Sequence, residues 1–144
     1  MTDTNPGRAS SALEFPVRIY YEDTDAGGIV YYANYLRFME RARTEWLRSR
    51  DISQQQLREA GQGLFVVRDL AIQYRQPAVL DDLLVVHTTI QIVRKASLIF
   101  HQEVRRADEL LCDAVVTVCY VDGMTRRPLP LSESLQSIFK QARN

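Results

Sequence analysis

Between Leu64 and Tyr120 the chain holds four successive runs in which apolar side chains return at every second position. Leu64, Val66, Leu70, Ile72 and Tyr74 form the first set, and Leu84, Val86, Ile90 and Ile92 the second. Leu98, Phe100 and Val104 make the third; Leu110, Cys112, Ala114, Val116, Val118 and Tyr120 make the fourth. Alternation with period two means antiparallel strands with one face buried. The connections fall at Pro77-Ala78 with Asp81-Asp82, at Arg94-Lys95 and at Ala107-Asp108. Strands this long are unusual in a small domain, so the sheet must curve around something.

The object it curves around lies upstream. A helix is expected from about residues 30–34 to Arg50. Within it Tyr35, Phe38, Met39, Ala42 and Trp46 recur at helical spacing, flanked by Leu36 and Leu47. Its apolar arc is wide, which fits a helix wrapped by a sheet. Arg41, Arg43, Arg48 and Arg50 suit the negative end of its dipole. Glu40–Arg43 and Glu45–Arg48 are spaced to pair at i,i+3. Phe15 to Tyr20 reads as a first strand, with Pro16 marking an edge. Ser53 to Ala60 reads as a short helix ending at Gly61, and Ser132 caps a last helix through about Ala142. The order gives an α+β class: one long helix against a curled antiparallel sheet.

At 144 residues the chain is sized for one domain, with residues 1–13 expected as a flexible tail and 14–144 as the folded unit. Eighteen basic and eighteen acidic side chains cancel, so no net positive field points to nucleic acid or to an anionic membrane. The first residues lack a signal peptide's apolar core, and no run is long enough to span a bilayer. A cytoplasmic location is expected. Cys112 and Cys119 sit an odd number of steps apart on one strand, on opposite faces and about 23 Å from each other, so they cannot bridge. No CxxC or Cys/His spacing suggests a metal site.

Chemistry concentrates in Tyr20-Tyr21-Glu22-Asp23-Thr24-Asp25-Ala26-Gly27-Gly28, an acidic turn with two glycines just before the long helix. Free N–H groups at a helix start stabilise negative charge on oxygen. A carboxylate beside them is the minimum equipment for hydrating an acyl carbonyl. Taken alone, Asp23 and Asp25 also read as turn and capping residues.

The string from Tyr21 to Tyr31, with Asn34-Tyr35-Leu36 and Glu40-Arg41-Ala42-Arg43, resembles the hotdog-fold acyl-CoA thioesterases of the 4-hydroxybenzoyl-CoA type. Within that type it resembles the small bacterial branch associated with the Tol–Pal envelope system. Phe65-Val66-Val67-Arg68, Tyr74 with Pro77-Ala78, Leu80-Asp81-Asp82 and Ser97-Leu98 extend the resemblance from about Phe15 to Lys140. It implies a sheet wrapped around the helix, a homodimer with a continuous sheet, commonly a dimer of dimers (a homotetramer), and active sites at subunit interfaces. By the same resemblance Asp25 is the catalytic carboxylate, Tyr32 supplies the peptide N–H that holds the thioester oxygen, and Tyr21 assists. Many members of the branch carry histidine where this chain has Tyr32. A backbone N–H survives that change, whereas an imidazole's acid–base role does not.

The resemblance tips Asp25 towards catalysis, while Asp23 is expected to be loop structure. Asp25 either attacks the carbonyl directly or takes a proton from the attacking water. Tyr31 and Tyr35 are expected as packing residues, Glu40 as a surface ion-pair partner, and His87 and His101 as exposed strand residues. The Arg94, Lys95 and Ser97 turn is a candidate for the phosphates of coenzyme A, or else an ordinary charged turn. No cofactor is expected beyond the coenzyme A of the substrate. Acyl carrier protein is a further candidate acyl donor. Hydroxyacyl dehydratases share the fold but need a histidine with the carboxylate, and none lies near Asp25 in sequence. The third class is a non-catalytic partner of acyl carrier or envelope proteins.

Overall fold

The structure, a computed structural model, describes residues 12–143. The chain runs β1 (Ala12–Arg18), α1 (Asn34–Ser49), α2 (Gln54–Glu59), β2 (Leu64–Tyr74), β3 (Leu83–Val93), β4 (Ser97–Arg106), β5 (Glu109–Val121) and α3 (Glu133–Ala142). A single 3-10 turn, Tyr21–Asp23, joins β1 to the loop before α1. The expected tail falls mostly outside the described residues. Its last two positions, Ala12 and Leu13, instead belong to β1, where they pair with Thr89 and Thr88.

All five strands form one antiparallel sheet in the order β1-β3-β4-β5-β2. This is the expected α+β arrangement, a curved sheet around one long helix. Helix α1 buries Tyr35, Phe38, Met39, Ala42, Trp46 and Leu47 against it. Trp46 lies edge-on to Phe100 at 5.7 Å and stacks on Phe139 of α3 at 6.1 Å, so the last helix closes the core behind the first. No described helix is long and apolar enough to cross a membrane. Cys112 and Cys119 are free and buried, and burial pushes the Cys112 thiol up to about 12.

Three irregularities bend the sheet, because an extra residue on one strand kinks it and increases its twist. The pairing skips Arg68 in β2, Gln91 in β3 and Leu111 in β5. Each extra residue reverses which side of the strand faces inward, and this corrects three assignments made by strict alternation. In β2 the inward aromatic is Phe65, packed on Tyr120 and Phe139 at 5.0 and 6.1 Å. Leu70 and Ile72 face inward only beyond the bulge. In β3, Val93 packs on the core and Ile92 is exposed. In β5, Leu111 is fully buried beside Cys112.

The two sheet edges differ. β1 is short and carries Pro16, which lacks a ladder donor and is tolerated at an edge. β2 is eleven residues long without proline.

A polar pin joins helix to sheet. Gln102 is fully buried, and its Nε2 donates to the Met39 carbonyl and to Thr88 Oγ1, both at 2.9 Å. Its Oε1 accepts from Arg43 Nη1 at 3.0 Å. The expected Glu40–Arg43 pair is therefore replaced: Arg43 turns inward, and Glu40 accepts from Thr44 at 2.7 Å. The Glu45–Arg48 pair forms at 2.6 Å.

Candidate active site

The acid loop is built by local hydrogen bonds that leave Asp25 at its tip. Asp23 is consumed by structure, as expected. Its Oδ2 accepts from the Tyr20 N–H at 2.8 Å, and its carbonyl accepts from the Tyr31 N–H at 3.0 Å and Asn34 Nδ2 at 2.9 Å. The Asp25 N–H donates to the Ile29 carbonyl at 2.8 Å, and the Asp25 carbonyl accepts from the Gly28 N–H at 3.0 Å. This tight turn needs a left-handed residue, and Gly28 supplies it at φ +82°. The exposed carboxylate of Asp25 accepts from the Gly27 N–H through Oδ1 at 2.8 Å. Oδ2 makes no hydrogen bond among the described residues.

The loop is braced from below. The Val30 N–H donates to the Ala78 carbonyl at 2.9 Å, and Ile29 bridges to Val79. The bracing segment is held by Asp82, whose Oδ2 accepts from the Val79 N–H at 2.9 Å and from Arg106 at 2.7 Å. Burial alone raises the pKa of Asp82, but those two bonds and the Arg106 charge outweigh it and hold the carboxyl below its usual range.

Helix α1 starts unlike the other two. Ser53 caps α2 and Ser132 caps α3, each accepting a backbone N–H at 3.2 Å. The cap position of α1 is Ala33, which has no side chain to offer, and no acidic residue sits in its first turn. The Tyr32 and Ala33 N–H groups donate to no acceptor among the described residues. Free donors at a helix start form a site for an anion or a developing oxyanion. Beside them opens a cavity of about 330 Å³ walled by Ile29, Val30, Tyr32, Tyr35, Tyr74 and Pro77.

Asp25, Tyr21 and Tyr32 thus share one loop, but Tyr21 is 82% exposed and its hydroxyl has no partner among the described residues. Tyr35 packs as expected, and burial raises its hydroxyl to about 12. Tyr31 does not pack: it is nearly half exposed and touches Tyr32 edge-on at 5.0 Å. His87 and His101 are half-buried rather than exposed, and His87 faces Glu14 at 3.3 Å.

Arg94, Lys95 and Ser97 are not brought to Asp25 within one chain. They follow the far end of β3, which begins next to the bracing segment, and its eleven residues span roughly 33 Å. Ser97 is buried, while Arg94 and Lys95 are exposed. The turn is clamped by Gln136 of α3, which donates to the Arg94 carbonyl at 2.9 Å. Tyr74, placed among inward strand residues by alternation, instead sits half exposed at the site. A phenol at the last position of the strand is the available signal for such a role.

Comparison with known proteins gives concordant results. The thioesterase superfamily profile matches residues 27–113. An acyl-CoA thioesterase, YbgC, from Haemophilus influenzae is 46% identical over 129 residues, spanning 90% of this chain and 95% of its own length. A probable thioesterase from Bartonella henselae superimposes with a TM-score of 0.80 at 32% identity, covering 85% of this chain and 100% of that one. The 4-hydroxybenzoyl-CoA thioesterase of Pseudomonas sp. strain CBS-3 shares the fold, with a TM-score of 0.80 at 22% identity over 89% of this chain and 99% of that one.

Proposed function

This chain belongs to the thioesterase superfamily, and from that premise we propose that it hydrolyses acyl-CoA thioesters, with Asp25 as the acting carboxylate and the Tyr32 N–H as the oxyanion donor. The observation that carries this reading is the uncapped start of α1 beside a carboxylate with a free oxygen. Both other helices close their first turn with a serine, so the open donors of α1 are a local exception at the place where the carboxylate stands.

The thioester oxygen lies against the Tyr32 N–H, with the helix dipole behind it. The donor strengthens its bond as charge builds on that oxygen, an effect able to supply about 3 kcal/mol. Asp25 takes a proton from water as the water oxygen bonds to the carbonyl carbon. The C–S bond then breaks, and the thiolate of coenzyme A leaves with the sulfur electron pair. Direct attack by Asp25, through a mixed anhydride that water opens, gives the same products. The Gly27 N–H holds one carboxylate oxygen and leaves the other for either task. A thiolate leaves readily, so the absence of histidine at position 32 does not stop the reaction.

The apolar walls of the cavity beside the helix start suit the acyl part of the substrate. The distance of Arg94 and Lys95 from Asp25 favours a site completed by a second copy, with the turn of one chain serving the acid loop of another. Pairing along the two long β2 edges would create such an assembly.

The test is thiol release from a panel of acyl-CoAs, from short aliphatic to long-chain and hydroxybenzoyl, with Asp25→Asn beside wild type. Turnover by wild type and its collapse in a folded Asp25→Asn variant is the expected result. Equal rates in both, or no turnover in either, would refute the mechanism and leave a binding role for acyl carrier or envelope proteins.

A further inference from the structure

We infer that Tyr74 is a positioning residue for hydrolysis, holding through its hydroxyl the backbone segment that carries the oxyanion donors. This inference rests on the proposed oxyanion site at the start of α1, where the Ala33 N–H lies next to that of Tyr32.

Tyr74 ends β2, the outermost strand on its side, yet its side chain reaches the start of α1. Its hydroxyl donates to the Tyr32 carbonyl at 3.0 Å. Its ring lies edge-on to Tyr32 at 5.9 Å and to Tyr35 at 5.6 Å, so both neighbours fix where the hydroxyl points.

The significance lies in which amide each group belongs to. The Tyr32 N–H shares an amide with the Tyr31 carbonyl, and the Ala33 N–H shares one with the Tyr32 carbonyl. The Tyr31 carbonyl accepts from the Asn34 N–H at 2.9 Å. The helix then tightens, with the Leu36 N–H donating to Ala33 rather than to Tyr32. The Tyr32 carbonyl is therefore left out of the helical ladder, and the Tyr74 hydroxyl is its partner among the described residues. Two consecutive amides are thus fixed at their oxygens and free at their N–H groups. The first is held by the helix itself, the second by a side chain from the sheet.

Two consequences follow. Fixing the Tyr32 carbonyl fixes the plane of the Tyr32–Ala33 amide, so the Ala33 N–H keeps its direction beside the Tyr32 N–H that the helix holds, and donors must be in place before charge develops. Hydrogen bonding at an amide oxygen also polarises that amide and strengthens its N–H as a donor, here that of Ala33. Burial, with Cys112 and Tyr32 nearby, pushes the Tyr74 hydroxyl above the usual tyrosine range, so it stays protonated and donating at neutral pH.

The test compares wild type, Tyr74→Phe and Asp25→Asn. Tyr74→Phe keeps the ring and loses the bond. Its kcat should fall about tenfold with KM within about twofold and unfolding unchanged. A second readout is the infrared carbonyl stretch of a bound ketone analogue, in which a methylene separates sulfur from the carbonyl. That stretch should sit below its free value in wild type and move back towards it in Tyr74→Phe. A fall in kcat with an unmoved carbonyl stretch would overturn the inference, because a merely structural tyrosine predicts it. So would a fully active Tyr74→Phe beside an inactive Asp25→Asn. No hydrolysis by wild type refutes the hydrolase reading itself and takes this inference with it. Tyr74→Leu guards against misfolding: it should lose stability as well as rate, whereas Tyr74→Phe loses rate alone.

Discussion

Gly27→Ala tests how closely the acid loop holds its carboxylate. A Cβ built on Gly27 lies 3.2 Å from Asp25 Oδ1, inside the 3.4–4 Å of ordinary contact. That same oxygen accepts the Gly27 N–H at 2.8 Å. The backbone imposes no penalty, since among glycines positive φ occurs at Gly28 and Gly61 and not at Gly27. Relief therefore comes from the carboxylate, which must retreat by a few tenths of an ångström and lengthen its charge-assisted bond. Such a bond contributes roughly 1.5–3 kcal/mol. Losing about half of it misplaces the acting oxygen at a cost near 1 kcal/mol, or about fivefold in kcat. Thiol release at saturating substrate should show that fall with KM unchanged. The melting temperature should stay within about 2 °C, because the new methyl is exposed. Wild-type kcat in this variant would show that the Gly27 contact does not set the position of Asp25. A collapse of melting temperature would show that the backbone, not the carboxylate, absorbs the methyl.

Two further outcomes concern the scaffold. Gln102→Leu removes the acceptor of Arg43 and a donor to Thr88 and Met39, and should cost about 2–4 kcal/mol in urea unfolding. Arg43→Met in the same chain should recover part of that loss, and unchanged stability in the single variant would refute the pin. Asp82 governs acid stability. Its folded pKa lies below the unfolded value, so the unfolded chain binds the proton first. The stabilisation is complete above the unfolded pKa of about 4 and is lost as pH falls through the folded one. Melting curves from neutral to acid should fall more steeply below about pH 4 for wild type than for Asp82→Asn, and parallel curves would contradict the linkage.

The elements were legible because their causes are local. Ser53 and Ser132 announce their helices by capping, the spacing from Tyr35 to Trp46 announces α1, and alternation announces the strands. The bulges were not legible. An extra residue at Arg68 or Gln91 leaves no mark in the pattern before it, so strict alternation leaves Phe65 and Val93 out of the inward sets although both pack on the core. Asp25 was distinguished from Asp23 by resemblance rather than by residue type. The structure supplies a separate distinction: Asp23 spends its acceptors on the loop, while Asp25 keeps one oxygen free. The Tyr74 contact and the separation of Arg94 from Asp25 depend on where a strand ends in three dimensions. Spacing along the chain does not carry that information.

The unequal edges of the sheet limit how it can grow. An edge strand is a template for another strand, and proline is one of the devices that blocks it. Here β1 is blocked at Pro16 while β2 offers its full eleven residues. Were two copies to join β2 to β2 about a twofold axis, each would cover the proline-free edge of the other. The described edges left outside such a pair would be the two β1 strands, each interrupted at Pro16, which discourages the addition of a further strand.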